Sequence, residues 1–125
     1  MAKKATEVRR IIQRYVGGLQ QHIRVDKVIL FGSYANGRPN EWSDIDLAII
    51  SPDFDGLSML KRLALMAKAR PHRDIFIEAL GYGNQEHETA DRQTFLGQIK
   101  RTGKVVYQAR PPKRRTVKIN GKLWK

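Results

Sequence analysis

The chain has 125 residues, room for one domain and too little for two. An apolar share of 41% supports a packed core, and the lack of any cysteine excludes disulfides, thiolate zinc sites and a cysteine nucleophile. Twenty-four Lys and Arg against twelve Asp and Glu give a net charge of +12, which attracts polyanions: nucleic acid, nucleotides or an acidic partner. The charge is unevenly spread. All twelve acids lie at or before Asp91, whereas residues 111–125 hold six bases (Lys113, Arg114, Arg115, Lys118, Lys122 and Lys125) and no acid. The start, Met1-Ala2-Lys3-Lys4-Ala5, has no apolar stretch of signal type. No run approaches the ~20 apolar residues of a membrane span, so a cytoplasmic protein without membrane contact is expected.

In chain order, Val8, Ile11, Ile12, Tyr15, Val16 and Leu19 recur at helical spacing and predict an amphipathic helix over Thr6–Ile23, with Gly17-Gly18 as a weak point. Val28-Ile29-Leu30-Phe31 reads as a short buried strand ending at Gly32. A polar segment with turn signals at Asn36-Gly37 and Arg38-Pro39 follows, and Asp44 to Ile50 reads as a second strand stopped by Ser51-Pro52. Met59, Leu60, Leu63, Met66, Ala67 and Arg70 mark a second helix that Pro71 ends. Asp74 to Leu80 gives a third strand, Thr89 to Thr102 a further helix, and Val105-Val106-Tyr107 a last short strand. This order implies an α/β (α+β) fold with a small mixed sheet flanked by helices. Residues 1–110 form the expected domain. Residues 111–125 form a basic C-terminal tail, with Asn120-Gly121 as the turn of a short hairpin pairing Ile119 with Lys122 and Val117 with Trp124.

The chemistry sits in Gly32-Ser33, ten further residues, and Asp44-Ile45-Asp46. Glycine at a strand end lets backbone approach a bulky anion, and Ser33 adds a hydroxyl at what would be a helix start. Asp44 and Asp46, two apart on a strand, leave the same face, where two carboxylates need a cation between them. A pair of Mg²⁺ ions answers that need, because Mg²⁺ takes oxygen ligands and shares them with phosphates. A third carboxylate lies on the later strand, where Asp74 and Glu78 share parity opposite Ile75, Ile77 and Ala79.

Gly32-Ser33-Tyr34-Ala35-Asn36-Gly37 through Ser43-Asp44-Ile45-Asp46-Leu47 resembles the signature of the polymerase-beta-type nucleotidyltransferase superfamily. Within it, the chain is most similar to the minimal nucleotidyltransferases over most of residues 25–107. The resemblance implies that Gly32 and Ser33 hold the β- and γ-phosphates of ATP or another nucleoside triphosphate. It implies that Asp44 and Asp46 ligate two Mg²⁺ ions and that a third carboxylate completes the second metal site. Glu78, between Ile77 and Ala79, suits that third place best, with Asp74 in reserve. The implied reaction is in-line attack of an acceptor hydroxyl on the α-phosphate. Many relatives carry a basic residue where Asn36 stands; this chain departs from them there, with Arg38 the nearby base. Relatives of this size are commonly antitoxins that silence HEPN-type toxins by nucleotidylation. A toxin partner, a homo- or hetero-oligomer, and RNA or DNA contact through the basic tail are therefore expected.

Other residues have plainer expectations. Trp42 reads as a cover for the core edge in preference to a base-stacking residue, and Tyr34 as a half-buried aromatic. Met59 and Met66 read as core; Lys61, Arg62 and Lys68 as the solvated face of their helix. His22, His72 and His87 show no metal-ligand spacing.

Overall fold

A computed structural model describes residues 2–69, 76–110, 117–119 and 122–124. The first helix, α1 (Ala5–Leu19), presents Val8, Ile12, Tyr15, Val16 and Leu19 as its buried stripe. It stops four residues before the expected Ile23, and the chain turns there on backbone bonds from His22 and Ile23 to the Leu19 carbonyl. Strand β1 (Lys27–Phe31) leads into a single-turn helix, α2 (Ser33–Asn36), and strand β2 (Ile45–Ile50) follows the polar loop. After a 3-10 turn at Pro52–Phe54 come α3 (Met59–Lys68) and β3 (Ile77–Tyr82).

The helix expected over Thr89–Thr102 begins only at Phe95, as α5 (Phe95–Thr102), and a short helix that was not expected, α4 (Asn84–Thr89), precedes it. Asp91 causes the late start: its carboxylate accepts from the Gln93 amide at 3.0 Å and its carbonyl from the Thr94 hydroxyl at 2.7 Å. Thr94 then caps α5 by accepting from the Gly97 amide at 3.0 Å. Strand β4 (Lys104–Gln108) closes the sheet, and β5 (Val117–Ile119) pairs antiparallel with β6 (Lys122–Trp124). That hairpin has the expected register, Val117 opposite Trp124 and Ile119 opposite Lys122.

The main sheet has the order β3-β2-β1-β4, with β1 antiparallel to both neighbours and β2 parallel to β3. One face carries Val28, Leu30, Ile45, Leu47, Ile49 and Ile77 into a core shared with α1 and with Met66 and Ala69. Gly18 allows the close approach there, since a Cβ would come within 3.0 Å of the Ala69 carbonyl oxygen. The opposite face is thinner: Ile29, Ala48 and Ile99 pack together, with Phe31 and Tyr82 partly buried against them. No helix among the described residues is long and apolar enough to cross a membrane.

The buried side of α3 is rotated from the expected one. Met59 is 51% exposed and Leu60 and Leu63 are also exposed, while Arg62, expected on the solvated face, is only 6% exposed. Its guanidinium donates to the carbonyls of Leu57 at 3.0 Å and Gly81 at 3.1 Å and pairs with Glu86 at 2.6 Å. Carbonyls in this position need a donor, and Arg62 is the long cation within reach.

Candidate active site

The site grows from a conflict between two neighbouring strands. Hydrophobic alternation commits Ile45, Leu47 and Ile49 to the thick core, so the intervening Asp46 must emerge on the thin face. In β3 the same rule buries Ile77 and turns Glu78 out. The parallel register then sets Asp46 directly beside Glu78, close enough for the Glu78 carboxyl to raise that of Asp46. On its other side Asp46 is paired with Phe31, the residue before Gly32.

Gly32 has φ +73°, where a side chain is strained, and a Cβ would overlap Oδ2 of Asp46. Glycine therefore brings the turn backbone against the Asp46 carboxylate. Ser33 begins α2 immediately afterwards, and Gly37, at φ 78°, ends it with its amide bonded to the Ser33 carbonyl. Asp44 lies one residue before β2, exposed to solvent, and its charge reaches Asp46. Burial first, then the charge and hydrogen bond of Glu78, then the charge of Asp44, raise the Asp46 carboxyl to about 6.

Asp44, Asp46 and Glu78 are thus gathered at one end of the sheet beside the Gly32-Ser33 turn. Asp74, the reserve carboxylate, lies outside the described residues. Among the described residues, no three Asp, Glu or His side chains enclose a metal site as they stand. The donor set nevertheless suits a hard divalent cation. It is all carboxylate oxygen, and two carboxyl groups in contact require a proton or a cation between them.

The surroundings differ in part from expectation. Tyr34 is half-buried as expected, accepting from the Lys3 amide at 3.2 Å beside a cavity of about 680 Å³. Trp42 does not cover the core edge; it is 84% exposed. Phe95 is 56% exposed and meets the Phe31 ring edge-on at 5.7 Å. Phe31 in turn borders Asp46, a placement that depends on strand register and that periodicity does not reveal.

Comparison with known proteins fits this geometry. The nucleotidyltransferase domain family matches residues 8–108, and the chain belongs to that family. Two proteins of Methanocaldococcus jannaschii, provisionally named protein adenylyltransferases, are similar to it. One is 34% identical over 47 residues, 38% of this chain, and the other 32% identical over 63 residues, 50% of this chain. The matches span 55% and 62% of the length of those relatives.

Among solved structures, a provisionally named nucleotidyltransferase from Sulfolobus solfataricus superposes with TM-score 0.64 at 15% identity, over 86% of this chain and 90% of that one. A toxin-antitoxin structure with AMP-PNP gives 0.56 at 23% identity, over 78% and 73% of the two chains. A toxin-antitoxin mutant with two aspartates, two positions apart, changed to glutamate gives 0.51 at 22%, over 82% and 73%. At these identities the likeness establishes a shared nucleotidyltransferase fold.

Proposed function

We propose that the protein is a Mg²⁺-dependent nucleotidyltransferase that moves a nucleoside monophosphate, AMP foremost, from a nucleoside triphosphate to a hydroxyl of a partner protein or RNA. We further propose that it acts as the antitoxin of a pair, with a HEPN-type toxin as partner. The carrying observation is the Asp46–Glu78 contact, with Asp44 beside it, against the Gly32-Ser33 turn. The names of the two adenylyltransferase relatives support AMP as the transferred group. The toxin-antitoxin neighbours, one with AMP-PNP and one altered at two aspartates spaced like Asp44 and Asp46, support the antitoxin setting.

In this reading Gly32 and Ser33 hold the β- and γ-phosphates. Asp44, Asp46 and Glu78 would hold the two Mg²⁺ ions, which when bound offset the charge of the triphosphate and of the reacting phosphoryl group. The acceptor oxygen bonds to the α-phosphorus, the α–β bridging P–O bond breaks, and pyrophosphate leaves. The acceptor proton passes to the Glu78 carboxylate, the third acid of the site.

The test is transfer of label from α-labelled ATP, with magnesium, to partners co-purified with the protein. Asp44→Ala and Asp46→Ala should each abolish it, and undiminished transfer in either variant refutes the assignment of these residues. A second reading, a binding module that neutralises a protein or binds nucleic acid without turnover, is favoured by the six bases and no acids of residues 111–125. An Asp44/Asp46 double variant that still neutralises its partner would select that reading.

A further inference from the structure

We propose that Trp42 is a stacking platform for a nucleobase at the mouth of the site. The inference rests on the nucleotidyltransferase reading and adds a ligand contact to it.

Trp42 carries one of the largest apolar side chains in the protein, yet it is 84% exposed. An indole in an unstructured loop would commonly fold back onto the nearest apolar surface. The indole of Trp42 instead stays in solvent, on a loop held by its own hydrogen bonds. Asn40 and Ser43 clasp each other, the Asn40 amide donating to the Ser43 hydroxyl at 2.9 Å and the Ser43 amide to the Asn40 carbonyl at 3.1 Å. Within that clasp the Trp42 amide donates to the Asn40 side-chain carbonyl at 2.8 Å. At the start of the loop, the Arg38 amide is tied to the Ser33 carbonyl at 3.0 Å and to the Asn36 side chain at 3.2 Å. The loop is thus pinned at both ends while the indole faces water, an arrangement that keeps its ring surface available.

Position decides what the indole would meet. Trp42 is two residues before Asp44, so their Cα atoms are within about 7 Å. The loop that bears it runs from the Gly32-Ser33 turn to Asp44 and spans the proposed triphosphate site. In a nucleotide, one ribose separates the α-phosphate from the base. A base carried on a nucleotide whose α-phosphate lies at Asp44 is therefore within reach of Trp42. Every base offers a π-face to an indole, and the exposed cation of Arg38 on the same loop suits a phosphate.

The base can come from the donor triphosphate or from an acceptor nucleic acid end, and two arms separate these sources. In a Trp124→Phe background Trp42 is the sole tryptophan, and its emission is followed during titration with a non-hydrolysable ATP analogue and with a single-stranded adenine oligonucleotide. At least one titration should quench it saturably. Trp42→Ala should weaken that ligand by about 5- to 150-fold, and Trp42→Phe should recover most of the loss. Inorganic tripolyphosphate, which has no base, should bind wild type and all variants alike, so a damaged fold is recognised separately. Loss with the ATP analogue assigns the donor base, and loss with the oligonucleotide alone assigns the acceptor base. Unchanged affinity of Trp42→Ala for both base-bearing ligands overturns the proposal and leaves the indole as a protein-contact residue. Failure of the enzyme reading looks different: tripolyphosphate would not bind even wild type, while the oligonucleotide arm would still decide the role of Trp42.

Discussion

On one face of the sheet, α1 and α3 bury Val28, Leu30, Leu47 and Ile49 in a continuous core. On the other, Ile99 of α5 packs on Ile29 and Ala48, and Asp46 stands beside Glu78. The same strands build both faces, so adjacent residues of β2 serve opposite ends. Leu47 holds the fold together; Asp46 is held where a carboxylate is costly, because its backbone position is fixed by the apolar residues on either side.

The sharpest way to break this comparison is to change those two neighbours separately. Leu47 is 0% exposed, and Leu47→Ala should cost about 2–5 kcal/mol in chemical denaturation. Asp46→Asn should leave the denaturation midpoint unchanged or higher, since it removes one of two facing carboxylates, while label transfer falls by about 100-fold or more. A variant of Asp46 that unfolds like Leu47→Ala would show that the thin face is structural after all.

Arg62 gives the next effect, because it braces the strand that carries Glu78. Arg62→Ala leaves the Leu57 and Gly81 carbonyls without their donor and Glu86 without its cation, at a cost of roughly 2–3 kcal/mol. Arg62→Lys should recover only part, since an ammonium cannot reproduce the guanidinium geometry. Full stability of Arg62→Ala in urea would remove it from the set of bracing residues.

How far the sequence foretells the site follows from these same residues. The strands were legible because Val28 to Leu30 and Ile45 to Ile50 are apolar runs, and side-chain parity alone separated Glu78 from Ile77. Glu78 stands out as the third carboxylate through the family resemblance, whereas its direct pairing with Asp46 depends on the β2–β3 register, which side-chain parity does not give. The rotation of α3 was hidden for a related reason. Periodicity favours burying Met59 and Leu63, but the carbonyl acceptors beneath α3 lie elsewhere in sequence and draw Arg62 inward instead. The late start of α5 turned on hydrogen bonds at Asp91 that no apolar spacing records.

Gly32→Ala tests the contact between the turn and the carboxylate. The positive φ alone predicts a loss of about 1–3 kcal/mol, and the overlap with Asp46 Oδ2 should displace that carboxylate as well. Nucleotide binding should therefore fall by more than the stability change explains. Equal ATP affinity in this variant would mean that the turn does not touch the nucleotide.

The smallest effect is the pH dependence of the thin face. The Asp46 carboxyl is raised from 3.8 to about 6 by burial, by Glu78 and by Asp44, so between these values the folded state binds more protons than the unfolded one. Its contribution to stability is therefore fully present below pH 3.8 and is lost as pH rises through about 6. In chelator, the denaturation midpoint of wild type relative to Asp46→Asn should decline over that window. With magnesium the decline should shrink, because a cation replaces the shared proton between Asp46 and Glu78. Parallel pH profiles for the two proteins would show that Asp46 does not carry this titration. A magnesium response that survives in Asp46→Asn would place the bound cation away from the carboxyl pair.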